Sequence, residues 1–350
     1  MRRSGAQLAG LLFPLMAFAQ TGPQNASPSA CLPCHWQARS QPHTSMAHAL
    51  EAVRDSKVLI DHPLLATTQG KYSYRIERKG DQSVYTVSDG KGQLALAIRW
   101  VMGASSAIGQ TYVLERDGEL YESRVSYFSE LKGLAPTLGS EGAAPRDLDE
   151  AAGRRMGIDD KLRCFGCHAT NAASGRKLTL EVLTPGVQCE RCHPSLDTHL
   201  AAVLLDRPEL AASRDPARPA ALPAEQVSNF CGQCHRTWEE ISLQGLVGVA
   251  NVRFQPYRLA GSRCYDPEDA RISCLACHDP HREVSARAED YDAKCQACHS
   301  DGKPGAKPCP TAASKECATC HMPKIALPGA HHKFSDHRIR IVRANEKYPG

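Results

Sequence analysis

Three features are scarce in this sequence of 350 residues: aromatic side chains, an excess of charge of one sign, and long apolar runs. Phe, Trp and Tyr make up only 6% of the chain, which by itself says little about the fold. The 42 Lys and Arg residues against 38 Asp and Glu leave a formal charge of +4, which gives no reason to expect a nucleic-acid partner. Beyond the N-terminus no apolar run is long enough to span a bilayer, so no transmembrane segment is expected in the mature chain.

The N-terminus predicts export. Arg2 and Arg3 precede a short apolar run at 8–19, which ends in the small-x-small pattern Ala17-Phe18-Ala19. This arrangement is typical of a secretory signal peptide, and the run is too short for a membrane span. We therefore predict a signal peptide over residues 1–19 and a mature protein in the periplasm or outside the cell.

Cysteine, in contrast, is abundant and ordered. Fourteen of the 16 cysteines lie in seven copies of the pattern Cys-x-x-Cys-His. The seven copies are Cys31-Leu-Pro-Cys34-His35, Cys164-Phe-Gly-Cys167-His168, Cys189-Glu-Arg-Cys192-His193, Cys231-Gly-Gln-Cys234-His235, Cys274-Leu-Ala-Cys277-His278, Cys295-Gln-Ala-Cys298-His299 and Cys317-Ala-Thr-Cys320-His321. They are called motifs 1 to 7 below, in chain order.

This pattern is the attachment signature of c-type haem. The two thiols add to the two vinyl groups of one haem, and the histidine that follows binds its iron as the proximal ligand. Because this attachment takes place outside the cytoplasm, the predicted export supports the same interpretation. We predict seven covalently bound c-type haems, held by the cysteines and histidines of motifs 1 to 7.

Zinc and disulfides are the alternatives. Pairs of Cys-x-x-Cys can build structural zinc sites, but zinc does not require a histidine directly after the second cysteine. Disulfides between neighbouring thiols would leave the seven histidines unexplained. The two cysteines outside the motifs, Cys264 and Cys309, are predicted to form a disulfide, with free thiols or haem contacts as alternatives.

The motifs are unevenly spaced along the chain. Motif 1 stands alone, and the other six lie between 164 and 321. We predict a first haem segment at 20–61, a haem-free β-rich insertion at 62–130, and a hexahaem region at 131–350.

The insertion has the period-two alternation of antiparallel strands. Apolar and polar residues alternate at 72–76, 94–100 and 121–127, and Asp89-Gly90 and Asp117-Gly118 are typical of turns. About five strands are expected there, and short helices between loops are expected to carry most later motifs. The predicted fold class is mainly α, with extensive loops and a small antiparallel β insertion.

Eight histidines lie outside the motifs, which is enough to supply a second axial ligand to every iron. His331 and His332 are adjacent, so only one of them is expected to serve. His199 and His281 lie too close to their own motifs to bind the same iron from the opposite side, so each is expected to cap a neighbouring haem. The predicted distal ligands are His43, His48, His62, His199, His281, His331 and His337, with Met46, Met102, Met156 and Met322 as alternatives that lack a haem-specific context.

Several segments resemble a known group of proteins. They are Cys31-to-Leu50 with Ser45-x-x-His48, motif 3 with Pro194 and His199, the run from Ser273 to His281, and the run from Cys320 through His331 to Ile339. Together they resemble the periplasmic multihaem cytochromes related to the tetrahaem electron acceptor of hydroxylamine oxidoreductase. The wider superfamily includes pentahaem nitrite reductase and the octahaem hydroxylamine-oxidising enzyme. The resemblance implies bis-His haems in stacked pairs and supports His48, His199, His281, His331 and His337 as distal ligands.

The sequence also departs from the enzymes of that superfamily. The nitrite reductases carry a Cys-x-x-Cys-Lys motif, which does not occur here. The expected function is therefore electron transfer between redox proteins, such as cytochromes and quinol-oxidising or terminal reductase complexes. The alternatives are an oxidoreductase of nitrite or hydroxylamine type, acting on a small nitrogen or sulfur compound at one open haem, and a subunit of a haem filament.

Overall fold

The protein is described here by a computed structural model, which covers residues 31–103, 108–142, 144–193, 196–207, 209–210, 222–299 and 315–349. The predicted signal peptide and Cys309 lie outside the described residues, so neither the peptide nor the disulfide of Cys264 is tested. Among the described cysteines, none is in a disulfide.

A curled antiparallel sheet of ten strands dominates the N-terminal half of the structure. Its main path runs β10-β7-β6-β5-β4-β3-β2, while β1 pairs with β5 and β8 pairs with β6 and β9. The strands are β1 Leu50–Ala52, β2 Leu64–Gln69, β3 Tyr72–Lys79, β4 Gln82–Ser88, β5 Gln93–Met102, β6 Gly109–Arg116, β7 Glu119–Ser123, β8 Val125–Phe128, β9 Gly133–Pro136 and β10 Gly153–Arg155.

The predicted alternation produces this sheet. Tyr72, Tyr74 and Ile76 of β3 are buried in the core, and the residues between them face outward. Between β6 and β7 the chain reverses in two residues, Asp117 and Gly118, which have φ of 51° and 76°. Positive φ at both central residues is the type I′ turn that matches the twist of a hairpin, so the turn predicted there is confirmed.

The predicted fold class is wrong. The structure is about 34% helical and 26% strand, with ten strands in the main sheet instead of about five in a small insertion. The sheet begins at Leu50 and includes 153–155, which lie on either side of the predicted 62–130. Strands of three residues, such as β1 and β10, are too short to show an alternation, and their register against Trp100 and Tyr121 is what places them in the sheet.

Short helices carry motifs 2 to 7, as predicted for most motifs after residue 160. The α-helices are α1 Lys57–Asp61, α2 Leu148–Ala152, α3 Ile158–His168, α4 Cys189–Cys192, α5 Leu196–Leu204, α6 Ala224–His235, α7 Trp238–Gln244, α8 Gln255–Ala260, α9 Cys274–Cys277, α10 Asp292–His299 and α11 Cys317–His321. The 3-10 helices are Trp36–Arg39, Gln41–His43, Val53–Asp55, Gly248–Asn251 and Ala288–Tyr291. Three two-stranded sheets complete the structure: β11 Ala169–Thr170 with β14 Thr184–Pro185, β12 Ala173–Ser174 with β13 Lys177–Leu178, and β15 Lys324–Leu327 with β16 His332–Ser335.

The central strand β6 is covered on both faces and joins the sheet to the motifs. Tyr112 and Leu114 point into the core of the curled sheet. Val113 points to the other side, where it joins a second cluster that includes Phe165 of motif 2. The sheet is therefore the support against which the helix of motif 2 packs. In the described ranges, no helix is long and apolar enough to cross a membrane.

The burial of β6 gives a first prediction. Leu114 is fully buried, so Leu114→Ala is expected to lower the free energy of unfolding by about 2–5 kcal/mol, from lost burial and the cavity left behind. Leu64 on β2 is 53% exposed, and Leu64→Ala is expected to stay within about 0.5 kcal/mol of the wild type. Denaturant unfolding followed by far-ultraviolet circular dichroism compares the two variants. Equal losses of unfolding free energy would show that β6 is not the core of the sheet.

Candidate haem sites

Motifs 1, 3 and 5 each close one helical turn, while motifs 2, 4 and 6 end longer helices. In motifs 1, 3 and 5, the backbone amide of the histidine donates a hydrogen bond to the carbonyl oxygen of the first cysteine. The bonds are His35 to Cys31 at 2.8 Å, His193 to Cys189 at 2.9 Å, and His278 to Cys274 at 2.9 Å. Residues three and four positions apart share one face of such a turn. Both sulfurs and the imidazole are thereby presented together, as attachment to one porphyrin requires.

Thiols of different motifs lie in contact with each other. In four pairs the thiols lie close enough to shift each other's pKa: Cys31 with Cys189, Cys167 with Cys234, Cys231 with Cys274, and Cys295 with Cys317. Motif 1 thus adjoins motif 3, motif 2 adjoins motif 4, motif 4 adjoins motif 5, and motif 6 adjoins motif 7.

Arg191 of motif 3 reinforces the junction at motif 4. Its Nη2 lies 3.1 Å from the carbonyl oxygen of Gly166 in motif 2 and 4.0 Å from Sγ of Cys234 in motif 4. Motif 4 therefore borders motifs 2, 3 and 5. Motif 1, by comparison, borders only motif 3 among these contacts.

The motif thiols differ in protonation, and zinc binds the thiolate. Burial raises the pKa of Cys164 to about 11 and that of Cys189 to about 11, whereas contact with a neighbouring thiol lowers the pKa of Cys234 and of Cys274. Within the described ranges, no three His, Cys, Asp or Glu side chains converge as a metal ion requires.

Three motif histidines lie beside a second imidazole at a centroid distance that suits a shared iron. The ring centroids are 6.2 Å apart for His35 and His199, 5.9 Å for His193 and His281, and 6.2 Å for His278 and His337. Two imidazoles on opposite faces of one iron have centroids about 6.3 Å apart, because a metal–histidine bond is about 2.0 Å and the donor nitrogen is about 1.2 Å from the ring centre. The residues present therefore fit haem iron.

Three site histidines hold their Nδ1 atoms in hydrogen bonds to backbone carbonyl oxygens. Nδ1 of His168 lies 2.8 Å from the carbonyl oxygen of Ala49, that of His321 lies 2.9 Å from Arg340 O, and that of His337 lies 3.0 Å from Ser335 O. A protonated Nδ1 held by an oxygen leaves Nε2 as the metal-binding atom and fixes the plane of the ring.

Burial also sets the protonation state. It lowers the pKa of His337 to about 4, and it lowers the pKa of His168, His235 and His278. These rings are neutral at pH 7, which is the form that binds a metal.

The remaining distal candidates make other contacts. Nδ1 of His48 lies 3.0 Å from Oε1 of Glu51, and Nε2 of His62 lies 3.4 Å from the hydroxyl of Tyr127. His331 packs edge-on against Phe128, with centroids 4.8 Å apart, while His332 Nδ1 contacts Oε1 of Glu130 at 2.8 Å. His43 ends a 3-10 helix and is exposed. The structure thus places the rings of His199, His281 and His337 beside motif histidines. His43, His48, His62 and His331 make the other contacts just described.

Arg258 is a buried residue beside one of these histidines that the sequence did not reveal. Its side chain is 2% exposed and forms a two-point ion pair with Asp336, the residue before His337. The two positions are 78 residues apart, and no motif surrounds Arg258. No sequence signal identified it.

The sites point to a class of protein. Thiols at motif spacing, a histidine beside them and a second imidazole at iron-sharing distance are the components of a covalent haem site, and together with the family match below they indicate a c-type cytochrome. A family model described as cytochrome c554 and c-prime matches residues 138–194, which include motifs 2 and 3. No match to a curated protein or to a solved structure was found.

Proposed function

We propose that this protein is an exported seven-haem cytochrome that transfers electrons between other redox proteins through mostly bis-His haems. The observation that carries the proposal is the set of three imidazole pairs, His35–His199, His193–His281 and His278–His337. An iron with two histidine ligands has no open position for a substrate, which favours electron transfer over ligand chemistry. The haem carries the electron, and the protein sets its potential through ligands, burial and hydrogen bonds.

The thiol contacts support an order for the route. Because the two thiols of each neighbouring pair would attach different porphyrins, adjoining motifs would place their haem edges side by side. Motifs 1 and 3 form one such pair, and motifs 2, 4 and 5 form a series through Cys234 and Cys231. Motifs 6 and 7 form another pair through Cys295 and Cys317. We infer that electrons cross motif 4 on their way between the two ends of the chain.

The match over 138–194 supports kinship with cytochromes that are typically exported. We retain, as a proposal, the closer relationship to the tetrahaem electron acceptor of hydroxylamine oxidoreductase. The partners would then be cytochromes and quinol-oxidising or terminal reductase complexes in the periplasm. Contacts with such partners are small and transient.

A steady-state assay tests the electron-carrier function. Reduced methyl viologen is expected to reduce the protein rapidly, while nitrite or hydroxylamine is turned over little. The reason is that closed irons exchange electrons without binding substrate. Enzyme-like turnover that disappears when one motif is disabled would instead identify an oxidoreductase.

A further inference from the structure

An ion pair is buried beside the imidazole pair of motif 5. Nε of Arg258 on α8 donates to Oδ1 of Asp336 at 2.8 Å, and Nη2 donates to Oδ2 at 3.0 Å. The side chain of Arg258 is 2% exposed and that of Asp336 is fully buried. Two parallel hydrogen bonds fix the carboxylate in angle as well as in distance.

The other polar atoms of this pair are also occupied. Nη1 of Arg258 donates to Oδ1 of Asn251 at 3.2 Å and to the carbonyl oxygen of Pro349 at 2.8 Å. Asp336 accepts a further bond from Nη1 of Arg340 at 2.7 Å. Replacing a buried ion pair by apolar side chains is often neutral or stabilising, so that stability alone does not account for such a network.

The network holds the backbone on both sides of His337. Ser262, which is 6% exposed, donates from its hydroxyl to the carbonyl oxygen of His337 at 3.1 Å. The same hydroxyl accepts from the amide of Ile339 at 2.8 Å. Asp336 thus anchors one side of His337 and Ser262 the other, while Ser335 O holds Nδ1.

We propose that Arg258 and Asp336 are positioning residues, which hold the imidazole of His337 at the iron that His278 binds. This inference rests on the proposed role of His337 as a distal ligand. Without the guanidinium, Asp336 would lose its two-point anchor and the ring of His337 would no longer be kept 6.2 Å from that of His278. Arg258 would also act on the haem potential, because buried charge beside a haem site is one of the protein's means of tuning it.

The test uses purified holoprotein and variants with matched covalent haem content. Arg258→Met is expected to add up to one high-spin ferric haem per chain, seen by electron paramagnetic resonance, and to shift the potential of one haem. Arg258→Lys keeps the charge but cannot make the two-point contact, so it is expected to restore only part of the low-spin signal. The matched control is Arg271→Met, since Arg271 is 80% exposed and pairs with Asp269, which is 30% exposed.

His337→Ala separates the two layers of the proposal. It is expected to produce one high-spin haem by itself, and the double variant Arg258→Met/His337→Ala is expected to show no second one. If His337→Ala leaves the spectrum unchanged, the ligation and the positioning role both fail. If His337→Ala opens one iron but Arg258→Met changes neither spin state nor potential, only the positioning role is overturned.

Asp336→Asn provides a second, milder variant in case Arg258→Met does not yield holoprotein. It keeps one carbonyl acceptor and removes the charge, and a shift in the potential of one haem is expected. An unchanged potential and spin state would overturn the positioning role. Loss of haem from several motifs in Asp336→Asn as well would show that the network serves folding instead, which also overturns it.

Discussion

Replacement of His281 by alanine is expected to convert one low-spin haem of this protein into a high-spin haem that binds cyanide and nitric oxide. The rings of His193 and His281 are nearly parallel, at 6°, with centroids 5.9 Å apart, so they can share one iron. Removing one ring leaves that iron with a single histidine ligand and a vacant coordination position. Optical and electron paramagnetic resonance spectra of the ferric protein, with and without cyanide, measure the change.

The matched control is His332→Ala. His332 is the spare histidine of the sequence, and its Nδ1 contacts Glu130 in the described structure. Removing His332 is expected to leave the spin state of every haem unchanged. A His281→Ala protein with an unchanged spectrum would show that His281 is not an axial ligand and that the ring spacing has another cause.

The double variant Cys231→Ser/Cys234→Ser is expected to lose one of seven covalent haems and to divide the electron route. Cys234 contacts Cys167 of motif 2, and Cys231 contacts Cys274 of motif 5, so motif 4 lies between them. Without its haem, motifs 2 and 5 would have no porphyrin edge between them. In stopped-flow reduction, we expect the haems of the wild type to be reduced together. In the variant, we expect one set of haems to be reduced fast and another set slowly.

Cys31→Ser/Cys34→Ser is the control. Among the thiol pairs, motif 1 contacts only motif 3, so it does not lie between two other motifs. It is expected to remove one haem as well, with the remaining haems still reduced together. If both double variants give the same reduction kinetics, motif 4 is not the junction of the route.

Much of the local structure was readable in the sequence. The alternation at Tyr72, Tyr74 and Ile76 predicted β3, and Asp117-Gly118 predicted the turn before β7. These features depend on residues that are close together in the sequence, so their spacing can be read directly. The attachment pattern of c-type haem, which the family match supports, was readable for the same reason, since both thiols and the histidine of each motif lie within five residues.

The rest depends on contacts between distant residues. The extent of the sheet was missed because β1 pairs with β5 about fifty residues later, and three residues show no alternation of their own. The alternation at 121–127 was seen as one run, but the chain divides at Arg124 into β7, which pairs with β10, and β8, which pairs with β9. His281 was predicted to cap a neighbouring haem, but only the fold identifies His193 as its counterpart. Arg258 was missed altogether, because its partner Asp336 is 78 residues away.

The intact mass of the purified, denatured holoprotein tests the central claim most directly. Covalent haem remains attached when the chain unfolds, so each occupied motif adds the mass of one haem to the polypeptide. The proposal predicts a mass that exceeds the processed chain by seven haems, one for each Cys-x-x-Cys-His motif. A gain of four haems or fewer would contradict the seven-haem cytochrome and the electron route built on it.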